Sequence, residues 1–299
     1  MKYAVTIFFI LMMGFQLFGS DLQGLKKRVA VVDFEDRSGW GHNIGTGLAD
    51  MLVTELVKTG KFMVIERQEL AKLMEEQGLG MSGAVTPQSA AQVGKLLGVE
   101  LMVMGSVSEF GQKDSDVGGA IGRLGIGGKV SKRKARAVVD VRLVNTSTGE
   151  IVLAEKAEGE ESSTGLDNIS VKDMDFGNPT HWDQTILGKA SRKAVDKAVD
   201  MIEKAMDKIP WEGKIIKAND DGTVYMKPGS AGGVKPGMEF VVYSKGEELI
   251  DPDTGISLGS EEQKIGRLKV MQDIGDGKAC KAVVVSGTGF KTGDFVREK

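Results

Sequence analysis

From Arg28 to Val107 the chain alternates short apolar runs with stretches of helical periodicity. Arg28-Val-Ala-Val-Val-Asp33 is apolar on both alternations, which suits a strand buried on two faces. Leu48, Met51, Leu52 and Leu56 then recur at helical spacing, and Gly60 closes that helix. Lys61-Phe-Met-Val-Ile-Glu66 predicts a second strand. Arg67 to Gln77 predicts an amphipathic helix with Leu70, Leu73 and Met74 inward, ended by Gly78. Thr86-Pro87 opens another helix with proline at its first position, and Ala90, Ala91, Val93, Leu96 and Leu97 form its buried side. Glu100 to Val107 is a third strand. Strand, helix, strand, helix, helix, strand predicts an α/β layer sandwich.

Ala137–Val144 and Glu150–Ala154 predict two further strands, joined by the turn Asn145-Thr-Ser-Thr-Gly149. Glu155 to Thr185 is polar with little periodicity. Ile186 to Lys208 predicts a long helix with Leu187, Ala190, Ala194, Ala198, Met201, Ile202 and Ala205 on one face, stopped by Pro210. From Glu212 the pattern changes to short strand-like runs: 214–217, 223–226, 239–243, 265–271, 281–285 and 294–297. Turn signals such as Asn219-Asp-Asp-Gly222 separate them, which predicts a small β-barrel. Ser230-Ala-Gly-Gly-Val-Lys-Pro-Gly237 and Ser286-Gly-Thr-Gly-Phe-Lys-Thr-Gly293 resemble one another, as two equivalent turns of one barrel would. The fold class expected is α/β (α+β), a sheet-and-helix sandwich followed by a small barrel.

Met1-Lys2, the apolar Tyr3–Phe18 and the step to Asp21 have the layout of a secretory signal peptide. The alternative is a retained anchor, although the run is short for a membrane span. This layout divides the chain into a signal peptide over 1–20, a sheet-and-helix unit over 21–211 and a barrel over 212–299. A net charge of −3 favours no particular partner. Cys280, the single cysteine, lies in a strand-like run, so no internal disulfide is expected; a buried thiol is the first reading and a reactive one the alternative.

Glycine and basic residues crowd the segment Gly118–Arg136. It fails as a phosphate-binding loop. Gly128-Lys129 is followed by Val130 rather than Ser or Thr, and Gly125-Ile-Gly127 has valine where the dinucleotide pattern needs glycine at 130. The two histidines, His42 and His181, have no second ligand at metal spacing. Asp251 and Asp253 suit a hairpin turn better than a calcium loop. No acid–base or nucleophile set is present, so no cofactor, no metal and no enzymatic activity are expected. Lys132-Arg133-Lys134 has no interleaved aromatic residues, which argues against nucleic acid. An electrostatic seat for anionic lipid, envelope polymer or a protein partner is one reading of the run, and a solvated strand is the other.

Val29-Ala-Val-Val-Asp-Phe-Glu-Asp36, Ile65-Glu-Arg-Gln-Glu-Leu-Ala-Lys-Leu73, Leu97–Phe110, Gly118–Gly128 and Val138–Ile151 together resemble the curli secretion channel family (CsgG/HfaB-like). The likeness spans roughly residues 27 to 209. The last third resembles the small β-domain of a flagellar-motor accessory protein. The resemblance implies a periplasmic domain that assembles into a ring, with two β-hairpins per subunit entering a shared outer-membrane barrel. Hairpin arms would lie near 111–144 and 155–185. Trp40, His42 and Asn43 would sit in the loop that lines the constriction. Lys129, Lys132, Arg133, Lys134 and Arg136 would lie on the first arm, contacting membrane or a partner.

Three departures from that pattern matter. Ser20 stands where a lipid-anchor cysteine would be, so no lipid anchor is expected there. The loop around Trp40 is short and lacks tyrosine and phenylalanine. The arms lack an apolar band, since Lys132, Lys134 and Arg136 alternate onto one face. A basic residue facing lipid at the midplane costs about 2–4 kcal/mol. The expected function is therefore a non-enzymatic, exported envelope component: a homo-oligomeric ring that exports or organises a surface polymer with an envelope protein partner, in the periplasm or associated with the outer membrane. The alternative is a soluble periplasmic module, without a pore, that assists a peptidoglycan synthase or a flagellar motor.

Overall fold

The computed structural model describes residues 24–41, 43–76, 86–118, 129–164, 182–250, 252 and 257–298. Strand β1 (Lys27–Val31) lies between β3 (Phe62–Val64) and β4 (Leu101–Gly118), parallel to both. The short β2 (Glu35–Asp36) also pairs with β4. Beyond β4 the sheet becomes antiparallel, adding β5 (Lys129–Asn145) and then β6 (Ile151–Thr164). Helices α1 (Ile44–Lys58) and α4 (Ile186–Met206) cover one face, while α2 (Arg67–Glu76) and α3 (Pro87–Leu97) cover the other.

The near-continuous apolar runs follow from burial on two sides. Val29 and Val31 of β1 and Leu101 and Val103 of β4 join Leu48, Leu52, Ala194 and Ala198 in one core. Ala30, Val32, Met102 and Met104 point the other way, onto Leu70, Met74, Ala90 and Val93. A side-chain period of two along each strand sorts them.

Helix α4 is fixed at both ends. The Thr185 hydroxyl accepts from the Gly188 amide at 2.8 Å, meeting a donor the first turn leaves open. At the far end the Lys27 ammonium donates to the Met206 and Ile209 carbonyls. Alanines and glycine let this helix lie close to the sheet. A Cβ placed on Gly159 of β6 would come within 1.9 Å of the Ala190 carbonyl oxygen.

Residues 213–298 form a closed barrel of β7 (Gly213–Ala218), β8 (Thr223–Lys227), β9 (Glu239–Ile250), β10 (Ser257–Ile274), β11 (Ala279–Gly287) and β12 (Phe295–Glu298). Its interior is filled by Ile215, Met226, Phe240, Leu268, Cys280 and Val296. The two similar turns have equivalent places. Each leads into one of two paired strands, β9 and β12, and each ends on a glycine with positive φ, Gly237 at 94° and Gly293 at 98°. Cys280 is buried in β11, and burial, with the Asp273 charge, pushes its thiol up to about 12.

The strands around the arm are longer than their apolar runs suggest. β4 continues past Val107 to Gly118, β5 starts eight residues before Ala137, at Lys129, and β6 continues past Ala154 to Thr164. Residues 155–164, polar and without periodicity, are therefore strand. Of the second expected arm, 165–181 lie outside the described residues, as do His42, His181, Asp251 and Asp253.

Candidate functional site at the base of the arm

The β4–β5 ladder is continuous from Leu101↔Asn145 to Gly118↔Lys129, with one register shift between Val107 and Glu109. From Phe110 to Gly118 this carries the pair about 27 Å at the usual strand rise. β6 pairs with β5 as far as Lys132↔Thr164. The basic run is thus the middle strand of a three-stranded arm.

Its position explains its charges. Phe110, Ala137 and Gly159 lie opposite one another in register, as do Gln112, Ala135 and Glu161. Phe110, Ala135 and Ala137 belong to the core on the α4 side. The intervening residues face outward. There the Lys134 ammonium lies 2.7 Å from Glu160, and Arg136 lies 3.1 Å from Glu109 and 3.0 Å from Glu158. The hydrogen bond with Glu158 raises the Arg136 pKa above its usual value, and the bond from Lys134 lowers that of Glu160. Lys193 of α4 reaches Glu161 at 2.6 Å. A basic strand is held against an acidic one, and opposite charges on facing strands favour that pairing. Lys132 is exposed, Arg133 is half-buried, and Lys129 pairs with Gly118 at the far end of the ladder. A groove of about 290 Å³ opens at the arm's base beside Phe110, Gly111, Lys113, Arg136 and Glu160.

The loop before α1 is organised by Asp36. One carboxylate oxygen accepts from the Ser38 amide at 2.9 Å and its hydroxyl at 2.6 Å, and the other accepts from the Gly41 amide at 2.7 Å. Burial pushes the Asp36 carboxyl up, but these bonds outweigh it and hold it below the usual carboxylate range. Gly39 and Gly41 supply the positive φ the tight loop needs. The loop sets the Trp40 ring against Phe110, with centroids 5.1 Å apart and planes at 76°. Phe110 in turn stacks on Trp182. Asn43 is exposed in the left-handed conformation just before α1.

Trp40 and the outward basic residues thus flank the base of the arm from opposite faces, Trp40 on the Phe110 side and Lys134 and Arg136 on the other. Phe110 and Trp182, which join the loop to the arm, carry no periodic signal that would single them out. Glu158 and Glu160 lie in the polar stretch that follows Ala154, and only the pairing of the strands brings them to Arg136 and Lys134, while Glu161 meets Lys193.

A sheet covered on both faces by helices, with a strand arm and a closed barrel, defines an α+β architecture whose distinctive feature is the arm. The family model described as curli production assembly/transport component CsgG matches residues 14–225, and the chain belongs to that family. A Neisseria meningitidis serogroup B protein described as a candidate lipoprotein is 28% identical over 203 residues, covering 65% of this chain and 83% of its own length. Both descriptions are of envelope proteins, and neither names a catalytic activity. Among solved structures, a hypothetical protein from Chlamydia trachomatis is 14% identical over 60% of this chain and 97% of its own, with a TM-score of 0.39. The LpoB C-terminal domain from Escherichia coli is 18% identical over 47% and 87%, with a TM-score of 0.33. A PelC dodecamer from Paraburkholderia phytofirmans is 13% identical over 60% and 90%, with a TM-score of 0.32.

Proposed function

We propose that this protein is a ring-forming subunit of the periplasm that exports or organises a surface polymer, acting by geometry rather than catalysis. Family membership supports an assembly or transport role. The observation that carries the reading is the arm: its ladder is unbroken to Gly118↔Lys129, long enough to engage a neighbouring subunit or the outer membrane. In such a ring the loop of Trp40, His42 and Asn43 lines the passage, and Lys129, Lys132, Arg133, Lys134 and Arg136 contact the membrane or a protein partner. The units 21–211 and 212–299 are proposed as separate domains following a signal segment.

A second reading has its own support. The outward face of the arm base is laced with ion pairs, Lys134–Glu160 and Arg136–Glu109 among them, which suits water better than lipid. On that reading the protein is a soluble periplasmic module that binds an envelope partner without forming a pore. Planar-bilayer recording of detergent-extracted particles separates the two. Stable unitary conductance supports the channel, and silent particles favour the soluble module.

A further inference from the structure

Three cations gather where the sheet meets the barrel. Lys214 of β7 lies directly opposite Lys227 of β8 in the barrel ladder. Like charges so placed destabilise a strand pair. Arg28 of β1 approaches the same lysines from the sheet. A Cβ placed on Gly98 would lie 3.6 Å from Arg28 Nη1 and 3.9 Å from Lys227 Nζ, so both nitrogens lie within 4 Å of one point. Gly98 follows α3 with a φ of 65°, and without a side chain it leaves that point open.

Arg28, Gly98, Lys214 and Lys227 border a hollow of about 90 Å³. That is several times what one water needs, yet well below an ordinary ligand pocket. Ser147 and Lys214 border both this hollow and a neighbouring one of about 470 Å³.

Two carboxylates stand at the rim, and both are engaged elsewhere. Glu100 Oε2 accepts from the Arg28 amide at 2.5 Å, and the Glu212 amide reaches the same carboxyl. The Glu212 carboxylate is held by Arg297, which also reaches Glu262 at 2.7 Å. Among the described residues, neither lysine makes an ion pair. Arg28 uses Nη2 to cap α3 through the Leu97 carbonyl at 3.0 Å, while its Nε is buried without a partner. Burial, followed by the Arg28 and Lys214 charges, lowers the Lys227 pKa, and no carboxylate is among the charges acting on it. The repulsion among the three cations is thus left unrelieved by the protein itself.

We propose that this seam is a binding site for a phosphate group, held between Arg28 on the sheet side and Lys214 and Lys227 on the barrel side. Phosphate suits the charges better than a carboxylate does, because it carries close to two negative charges at neutral pH. Arginine and lysine donate charge-assisted hydrogen bonds to its oxygens, arginine through a planar fork and lysine as a point charge. The bound group ties the barrel to the sheet, since its ligands come from both.

The test is equilibrium dialysis of radiolabelled inorganic phosphate against the full chain, with chloride holding the ionic strength constant. Millimolar phosphate is too dilute to act through solvent exclusion. Saturable binding of one phosphate per chain is expected. Lys214→Gln and Lys227→Gln are each expected to weaken it by about tenfold or more, the factor carried by one charge-assisted hydrogen bond. Lys134→Gln, on the arm, is expected to leave it unchanged. Both lysines of the seam are exposed, so neither change threatens folding. Glycerol phosphate serves as competitor. Displacement at lower concentration than free phosphate assigns the group to a larger ester that enters the neighbouring hollow, and displacement only at higher concentration assigns it to the free ion. Absence of saturable binding would overturn the proposal. So would binding that Lys214→Gln and Lys227→Gln leave unchanged, or that Lys134→Gln weakens as much as they do.

Discussion

Phe110 and Trp182 lie ring over ring, with centroids 6.1 Å apart and planes 12° from parallel. Phe110 also meets Trp40 in a T-shaped contact, so a single strand residue joins the loop before α1, the base of the arm and the approach to α4. Truncating a buried phenylalanine typically costs about 3–5 kcal/mol. Phe110→Ala is expected to fall in that range by denaturant unfolding and to shift the native tryptophan emission to longer wavelength as both indoles gain water. Unchanged emission would show that Phe110 does not hold the two rings.

Lys134 and Glu160 pair diagonally across β5 and β6, Glu160 lying directly opposite Arg136, and both are substantially exposed. Exposed pairs contribute little singly, but a like-charge pair on facing strands is destabilising. Glu160→Lys is expected to lower the thermal midpoint, less so at high salt, where screening is stronger. The exchange Lys134→Glu with Glu160→Lys is expected to recover only part of the loss, because a lysine at 160 still lies opposite Arg136. Thermal melts of the wild type, each single variant and the double variant at two ionic strengths measure this coupling.

Gly159 has no room for a side chain, because its Cβ would press on the Ala190 carbonyl and the Ala194 amide of α4. Overpacking of this kind costs about 1–3 kcal/mol, and here the opposing atoms are backbone. Gly159→Ala is expected to reach at least that. Gly111, in the same arm, has nothing within 4 Å of its Cβ position, so Gly111→Ala is expected to be neutral or mildly stabilising. Parallel urea titrations check the contrast.

The strands of the barrel were legible because each apolar run is bounded by turn residues; five of the six runs fall within strands of the structure and the sixth begins one residue before β12. The helices were legible for the same reason, as periodicity and caps agree at Pro87 and near Gly60. The arm was not, because apolar periodicity ends at Val107, begins again only at Ala137 and ends once more at Ala154. Beyond those points cross-strand charge matching, Lys134 with Glu160 and Arg136 with Glu158, accompanies the ladder. A single sequence shows the basic and acidic runs but not their register. The site at the arm's base was partly legible, through Trp40 and the basic run. Phe110 and Trp182 reach it only through tertiary packing.

Burial of Glu100 also gives stability a definite pH dependence. Burial pushes its carboxyl from the ordinary 4.5 up to about 7 in the native state. Between those values the native chain holds a proton that the unfolded chain has released. Its contribution is full below the lower value and is lost as pH rises through the upper one, on the order of 3 kcal/mol. Urea midpoints are expected to fall across that window in the wild type and to fall less in Glu100→Gln.

Ring assembly is the central claim, and the mass of the native full-length particle tests it most directly. Light scattering of protein extracted from its own envelope in mild detergent is expected to give a single large multiple of the chain mass. A particle that is monomeric both in detergent and in plain buffer would contradict the account.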